Sequence, residues 1–381
     1  MTPRIHLNDT TLRDGEQAPG VAFTLAERIA IAEALAAAGV PEIEAGTPAM
    51  GPDEVSAIAT IARSVPQVRT LAWCRLSEKD LALAARAGVR AVNLSIPLSD
   101  RLLATKLGID REEALARIKR VVPRALDMGM DVAIGGEDAS RSDPEHVVRV
   151  AETAAALGAF RLRLADTVGV LDPFSTADLV GTVCRAAPIA IEFHGHDDLG
   201  LATANSLAAV RAGATHVSVT VLGLGERAGN APLEELAVAL DRLGQGETGI
   251  DLARLPRLAE VVARASGRPV PEGKAIVGRD VFTHESGIHV SAILKEPETY
   301  QALDPALVGR GHAIVIGKHS GAAALAHALG ETVPDALLPT LRARIIRQAA
   351  RTKRPIAPGE LRAMVRDLEA QVAGSPLPIA S

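Results

Sequence analysis

The chain has little of several residue types, and each shortage excludes a class of protein. Two cysteines in 381 residues exclude a disulfide framework and a cysteine-rich zinc site, so a reducing compartment is expected. One tryptophan, one tyrosine and five phenylalanines provide too few rings for a base-stacking platform. A formal charge of −5 provides no excess of cations for a phosphate backbone. We therefore expect no nucleic-acid partner.

Long hydrophobic runs are also missing. No stretch reaches the ~20 apolar residues that a membrane-spanning helix needs. The first residues, MTPRIHLND, do not have the apolar core of a signal peptide. Hydrophobic residues nevertheless make up 48% of the chain, which is enough for a sizeable core. The prediction is a soluble cytoplasmic protein with no membrane partner.

What the sequence does have is one pattern that repeats through its first two-thirds. An alanine-rich helical segment ends at a glycine, and a short apolar run then ends in polar residues. The eight runs are RIHLND, PEIEAG, VRTLAWC, VRAVNLS, MDVAIGGED, AFRLRLADT, PIAIEFHGH and ATHVSVT. Such strands suit a parallel sheet that is buried on both faces. Eight units in about 240 residues predict an α/β fold, a (β/α)8 TIM barrel, with a doubly wound open sheet as the alternative.

The repeated pattern stops near residue 245. Residues 270–320 are rich in glycine and histidine, and two helical patterns follow, around 334–351 and 358–373. We therefore place a catalytic barrel at residues 1–261 and a smaller, mainly helical C-terminal domain at residues 262–381.

Polar residues follow all eight predicted strands, at the face where TIM barrels have their active sites. His194 and His196 are two residues apart on one strand, so both imidazoles point to the same side. Asp14, from across the barrel, and Asn230, at the neighbouring strand, add oxygen ligands, and this mixed set suits Mg²⁺, Mn²⁺ or Zn²⁺. For the histidine pair alone, two ordinary polar residues at a strand end are an equally good interpretation.

Arg13 stands next to Asp14 in the sequence. A guanidinium at this position suits a carbonyl oxygen on which negative charge develops, because arginine does not lose its proton. The alternative is a structural ion pair with Glu44 or Asp9, and the two roles are compatible.

Five segments together resemble the α-isopropylmalate synthase/homocitrate synthase family of DRE-TIM metallolyases. They are DTTLRDGEQAPGVAF (9–23), HGHDDLGLATANSLAAVRAGATHV (194–217), GLGERAGNAPLEEL (223–236), FTHESGIHVSAIL (282–294) and GKHSG (317–321). The resemblance implies a Claisen condensation of acetyl-CoA with an α-oxo acid, followed by thioester hydrolysis. LAWCRL, GGEDASR and RLADTVGV resemble members from nitrogen-fixing bacteria. That implies 2-oxoglutarate as acceptor and homocitrate as product, for the nitrogenase iron–molybdenum cofactor.

The resemblance also implies roles for residues of the barrel. Arg13 would polarise the oxo group, Glu44 would order Arg13, and Thr167 would donate a hydrogen bond to the α-carboxylate. The implied ligands of the divalent metal are Asp14, His194 and His196, with support from Asn230.

Further implied roles concern the base that activates the acetyl methyl group. His289 aligns with the proposed base, and His312 takes the place of an assisting tyrosine. Glu137 and Glu192 align with acidic residues that assist in different branches of the family. In relatives the histidine comes from the partner subunit, which implies a homodimer with exchanged C-terminal regions.

One departure from the family concerns the acceptor. Fungal relatives bind the distal carboxylate of 2-oxoglutarate with an arginine on the fifth strand, where this chain has Ala133. Arg75, at the end of the third strand, is the expected replacement because a guanidinium grips a carboxylate with two hydrogen bonds. Three alternatives stay open: condensation with another α-oxo acid such as 2-oxoisovalerate or pyruvate, giving a 2-isopropylmalate or citramalate synthase; a related metal-dependent lyase; and a non-catalytic binding protein.

Overall fold

The computed structural model describes residues 3–373, which form two compact units. The first unit contains the described residues up to Pro271, together with Ala275–Val277. The second contains Glu272–Lys274 and the described residues from Gly278 onwards. None of the helices within residues 3–373 is both long enough and apolar enough to cross a membrane.

The first unit is a closed barrel of eight parallel strands in sequence order, which confirms the predicted (β/α)8 fold. Pairing of the first strand with both the second and the eighth closes the ring. The strands are β1 (His6–Asp9), β2 (Glu42–Glu44), β3 (Arg69–Arg75), β4 (Ala91–Pro97), β5 (Asp131–Glu137), β6 (Arg161–Asp166), β7 (Ala190–Gly195) and β8 (His216–Val219).

A helix follows each barrel strand. The eight helices are Leu25–Ala37, Pro52–Ser64, Glu78–Ala87, Arg111–Asp127, Pro144–Ala156, Pro173–Ala186, Ala202–Arg211 and Leu233–Arg242. Local sequence fixes their ends. Thr24 and Glu27 form a reciprocal capping box at the first helix, and Gly39 after it takes a left-handed conformation with φ +87°.

The barrel unit extends beyond the predicted boundary at residue 261. The helix Leu255–Ser266 contains that boundary and buries Leu255, Leu258 and Val262. It packs against the helix Leu25–Ala37, so the apolar face of this segment belongs to the barrel unit.

The second unit is mainly helical, as the sequence predicts. Its helices are Gly287–Ile293, Ala322–Leu329, Leu338–Thr352 and Pro358–Ala373, beside a short parallel pair, Thr283–His284 with Ala313–Ile314. Val290, Leu325, Leu341 and Leu361 are buried in a core that the helices share.

Candidate metal and substrate site

The carboxyl ends of the barrel strands surround a cavity of about 220 Å³. Half of the sequence-predicted site residues line it. They are Arg13, Asp14, Glu137, Thr167, His194 and His196.

Asp14, His194 and His196 converge in this cavity. One ligand atom from each lies within 4.8 Å of the others. The Nε2 atom of His194 is 3.4 Å from Asp14 Oδ2 and 3.3 Å from the Nε2 atom of His196. All three side chains are buried, so the three donor atoms face one another away from bulk water.

The backbone explains why these side chains meet. His194 lies on β7 and His196 directly follows that strand, so both rings project from its end. A bridge between His196 and Asn230 brings the loop after β8 to the same point. The Asn230 amide donates to Asp14 Oδ1 at 3.1 Å and to the Leu224 carbonyl at 3.0 Å. Asn230 thus orients the Asp14 carboxylate.

The protonation states suit a cation. Burial acts to raise the pKa of Asp14, but Arg13 and His194 outweigh it and hold that pKa well below its usual range. Burial, followed by the neighbouring His194, lowers the pKa of His196 to about 4. At neutral pH the pair therefore presents an ionised carboxylate and an uncharged imidazole. Two nitrogens and one carboxylate oxygen fit a borderline or hard divalent ion.

Arg13 and Glu44 make the ion pair that the sequence offered as one interpretation. Arg13 Nε donates to Glu44 Oε2 at 2.6 Å, and Arg13 Nη1 donates to Asp14 Oδ2 at 2.5 Å. Glu44 is fully buried, and its other oxygen accepts from Arg163 Nη2 at 2.8 Å. Arg13 is therefore fixed beside the candidate metal ligands.

A chain of buried charges inside the barrel was not among the residues predicted from the sequence. Arg163 also contacts Glu192 at 3.1 Å, and Arg161 contacts Glu192 at 2.8 Å and Glu42 at 2.5 Å. The signal was present in two short runs. EIE on β2 and RLR on β6 each alternate a charged residue with an apolar one, which puts the charges on one face of a strand.

Glu192 belongs to this chain of charges and does not line the cavity. It is fully buried, and it also accepts from Asn8 at 2.9 Å and Ser218 at 2.5 Å. Burial acts to raise its pKa, but the two arginines outweigh burial and lower it.

Thr167 has a hydroxyl hydrogen to offer to a ligand. Its oxygen accepts from the Asp138 backbone N–H at 2.8 Å, so the hydroxyl hydrogen points elsewhere. Arg227 donates to the Thr167 carbonyl at 2.7 Å and holds this loop in place.

Of two further predicted residues, Glu137 lines this cavity and Arg75 does not. Glu137 forms an ion pair with Lys106 at 2.8 Å. Arg75 is directed to a neighbouring cavity, and its guanidinium binds both oxygens of Asp80 at 2.9 and 2.8 Å. The structure thus does not bring Arg75 to the candidate metal ligands.

The two remaining predicted residues belong to the second unit. His289 is exposed and stacks on Tyr300, with 4.1 Å between the ring centroids. His312 Nδ1 is 3.1 Å from His284 Nε2, and His312 Nε2 is 2.9 Å from Gln301 Oε1. Their roles in catalysis stay predictions.

Comparison with known proteins finds two family models that match. Residues 4–262 match the HMGL-like model, and residues 276–350 match the model named homocitrate synthase post-HMGL domain-like. The homocitrate synthase of Frankia alni is 53% identical over 321 residues, which are 84% of this chain and 92% of that protein. The 2-isopropylmalate synthase 2 of Caldanaerobacter subterraneus is 45% identical over 371 residues, 96% of each chain.

A solved structure supports the fold. The hydroxymethylglutaryl-CoA lyase of Pseudomonas aeruginosa superposes with a TM-score of 0.65 at 24% identity, over 72% of this chain and 97% of that one.

Proposed function

The chain belongs to the HMGL-like family, and from that premise we propose that it condenses acetyl-CoA with 2-oxoglutarate to give homocitrate and CoA. The 53% identical relative is named for that activity. The observation that carries the proposal is the convergence of Asp14, His194 and His196 beside Arg13 at the carboxyl ends of the strands.

The predicted residues that line the cavity would have separate tasks in this reaction. A divalent cation held by Asp14, His194 and His196 would supply a Lewis acid for the carboxylate and oxo oxygens of the acceptor. Arg13 would donate to the oxo oxygen as negative charge develops on it, with Glu44 holding the guanidinium in place. The Thr167 hydroxyl would donate to the α-carboxylate.

The acetyl methyl group needs a base because it is a weak carbon acid. His289 is the proposed base, with His312 and Glu137 assisting the proton transfer. We assign Glu192 a supporting part, since its contacts are with Arg161 and Arg163 rather than with the cavity. The proposal includes a homodimer in which His289 of each chain serves the barrel of its partner.

The second candidate is condensation with an α-oxo acid that has no second carboxylate. The 45% identical 2-isopropylmalate synthase, matched over 96% of each chain, favours it. This activity would use the same metal ligands and the same base, so only the acceptor separates the two candidates.

The test is a CoA-release assay across 2-oxoglutarate, 2-oxoisovalerate and pyruvate, with identification of each product by mass. We expect 2-oxoglutarate to give homocitrate with the highest kcat/KM. A higher value for either of the other acids would replace this proposal by the second candidate.

A matched variant tests the metal assignment in the same assay. His194→Ala should lose both bound metal and CoA release, while His327→Ala, a histidine of the second unit, should retain both. Full turnover by metal-stripped His194→Ala would defeat the assignment.

We assign the product to nitrogenase cofactor synthesis in the cytoplasm. The three segments that resemble members from nitrogen-fixing bacteria support this use, and the free thiols of Cys74 and Cys184 are compatible with a reducing compartment. The gene should restore nitrogenase-dependent growth to a strain that cannot make homocitrate, and failure with active enzyme present would oppose this use.

A further inference from the structure

A dicarboxylic acceptor needs a second anchor in the cavity. The candidate metal ligands lie on or after β1 and β7, and in a ring of eight strands the positions opposite these are β5 and β3, with β4 between them. The distal carboxylate of 2-oxoglutarate lies two methylenes beyond the oxo carbon. It therefore extends from the bound end towards this opposite wall.

We propose that Asn93 and Lys106 form the subsite for this distal carboxylate and give the enzyme its preference for a dicarboxylic acceptor. The inference rests on the proposed function and adds the residues that select the substrate.

Asn93 provides the first observation. It lies on β4, is 0% exposed and lines the cavity. Within residues 3–373 neither Nδ2 nor Oδ1 of its amide has a hydrogen-bond partner. Leaving a buried amide without a hydrogen-bond partner is costly, so an unpaired amide in a substrate cavity points to a polar ligand.

Gly135 on β5 keeps the Asn93 amide accessible. A Cβ atom at this position would lie 2.9 Å from Asn93 Oδ1 and 3.0 Å from Nδ2. Any larger residue would press on the amide and fill the space that faces it. The glycine therefore preserves room for a ligand against Asn93.

Lys106 provides the charge. Lys106 lines the same cavity, and its ammonium group is 2.8 Å from both oxygens of Glu137. An ammonium group has three hydrogens, and one carboxylate does not use all of its bonding directions. The side chain is 48% exposed and stands on a short π-helical turn, Leu103–Leu107, so it can reorient towards a ligand.

The three arginines that line the cavity use more of their hydrogen-bonding groups on protein partners than Lys106 does. Arg13 is held by Asp14 and Glu44. Arg163 is held by two buried glutamates, and Arg227 binds both oxygens of Asp198 as well as a backbone carbonyl. Of the cations that line the cavity in the described chain, Lys106 is thus the best suited to a new carboxylate.

The experiment compares two ligands that differ in the distal carboxylate. Calorimetry on the Mn²⁺-loaded protein would measure the Kd of 2-oxoglutarate and of 2-oxobutyrate, for the wild type, Lys106→Met and Asn93→Ala. The control is Lys79→Met, which removes a lysine of the neighbouring cavity. Unfolding midpoints of all variants would verify that each is folded.

We expect the wild type and Lys79→Met to bind 2-oxoglutarate at least about tenfold more tightly than 2-oxobutyrate. In Lys106→Met this preference should fall to about twofold or less, and Asn93→Ala should reduce it by about tenfold. Lys106→Arg should recover part of it, because the charge is retained.

A preference that survives in Lys106→Met would overturn the subsite and leave the proposed function standing. A wild type without any preference for 2-oxoglutarate would instead refute the proposed function itself, and the subsite with it.

Discussion

Arg163 illustrates how a single buried side chain supports the site. Its guanidinium forms ion pairs with both Glu44 and Glu192, and Glu44 in turn fixes Arg13 beside Asp14. At this scale the sequence predicted the relative position of His194 and His196, because a spacing of two residues on a strand places both rings on the same side. It did not predict the partners of Arg75, because whether a side chain reaches across a cavity or folds back onto Asp80 depends on tertiary packing.

Replacing Arg163 should destabilise the protein strongly. Arg163→Met leaves two buried carboxylates without their common cation, so we expect the free energy of unfolding to fall by about 3–5 kcal/mol. Arg257→Met, which removes an exposed ion pair with Glu260, should cost below about 1 kcal/mol. Urea titrations measure both, and equal losses would contradict the role given to Arg163.

Asp9 should make stability depend on pH. Burial raises its pKa to about 7, although two hydrogen bonds from Thr11 act against this. Between about pH 4 and pH 7 the unfolded chain releases this proton while the folded protein keeps it, so this contribution to stability is lost as the pH rises. Asp9→Asn removes the effect.

The stability of Asp9→Asn relative to the wild type should therefore increase from pH 4 to pH 7, by roughly 4 kcal/mol at most. Urea unfolding at several pH values measures this difference. A difference that does not change with pH would show that Asp9 ionises normally in the folded state.

At the scale of elements, the loop after β8 carries Asn230 to the candidate metal site through a tight turn at Gly229. The eight strands were predictable, because buried parallel strands read as apolar runs and glycines end the preceding helices. Loop paths such as this one were not, because they depend on close backbone contacts. At Gly229, φ is +95° and a Cβ would lie 2.0 Å from the Gly223 carbonyl oxygen.

Replacing two glycines of positive φ distinguishes the cost of backbone strain alone from the cost of strain together with steric crowding. Gly20 has φ +81° and no atom within 4 Å of a Cβ, so Gly20→Ala should cost about 1–2 kcal/mol. Gly229→Ala should cost about 1–3 kcal/mol more, because the loop must also move. It should also weaken metal binding through Asn230. Equal unfolding free energies and unchanged metal affinity would contradict this view of the loop.

At the scale of the whole molecule, the two units divide the proposed chemistry between them. The barrel and a helical C-terminal region were both predictable from the strand count and the helical patterns. The domain boundary near residue 262 rests on where the repeated pattern stops, whereas the helix Leu255–Ser266 spans that position and packs on the barrel. Whether the chain forms a dimer depends on its surface, and the periodicity of the sequence says little about surface contacts.

Complementation tests the proposed exchange between subunits. His194→Ala lacks a working barrel site and His289→Ala lacks the proposed base, so each alone should be inactive. Co-expression should restore about one quarter of wild-type activity, because half of randomly formed dimers contain one intact site. No recovery in verified mixed dimers would show that each site is built from one chain.

The central claim is that Asp14, His194 and His196 hold one divalent cation, and anomalous diffraction from crystals soaked in Mn²⁺ and 2-oxoglutarate tests it most directly. The account predicts a single peak at about 2.2 Å from all three side chains, with the acceptor's oxo and carboxylate oxygens beside it. No peak there, with the three side chains unliganded and the acid bound elsewhere, would contradict it.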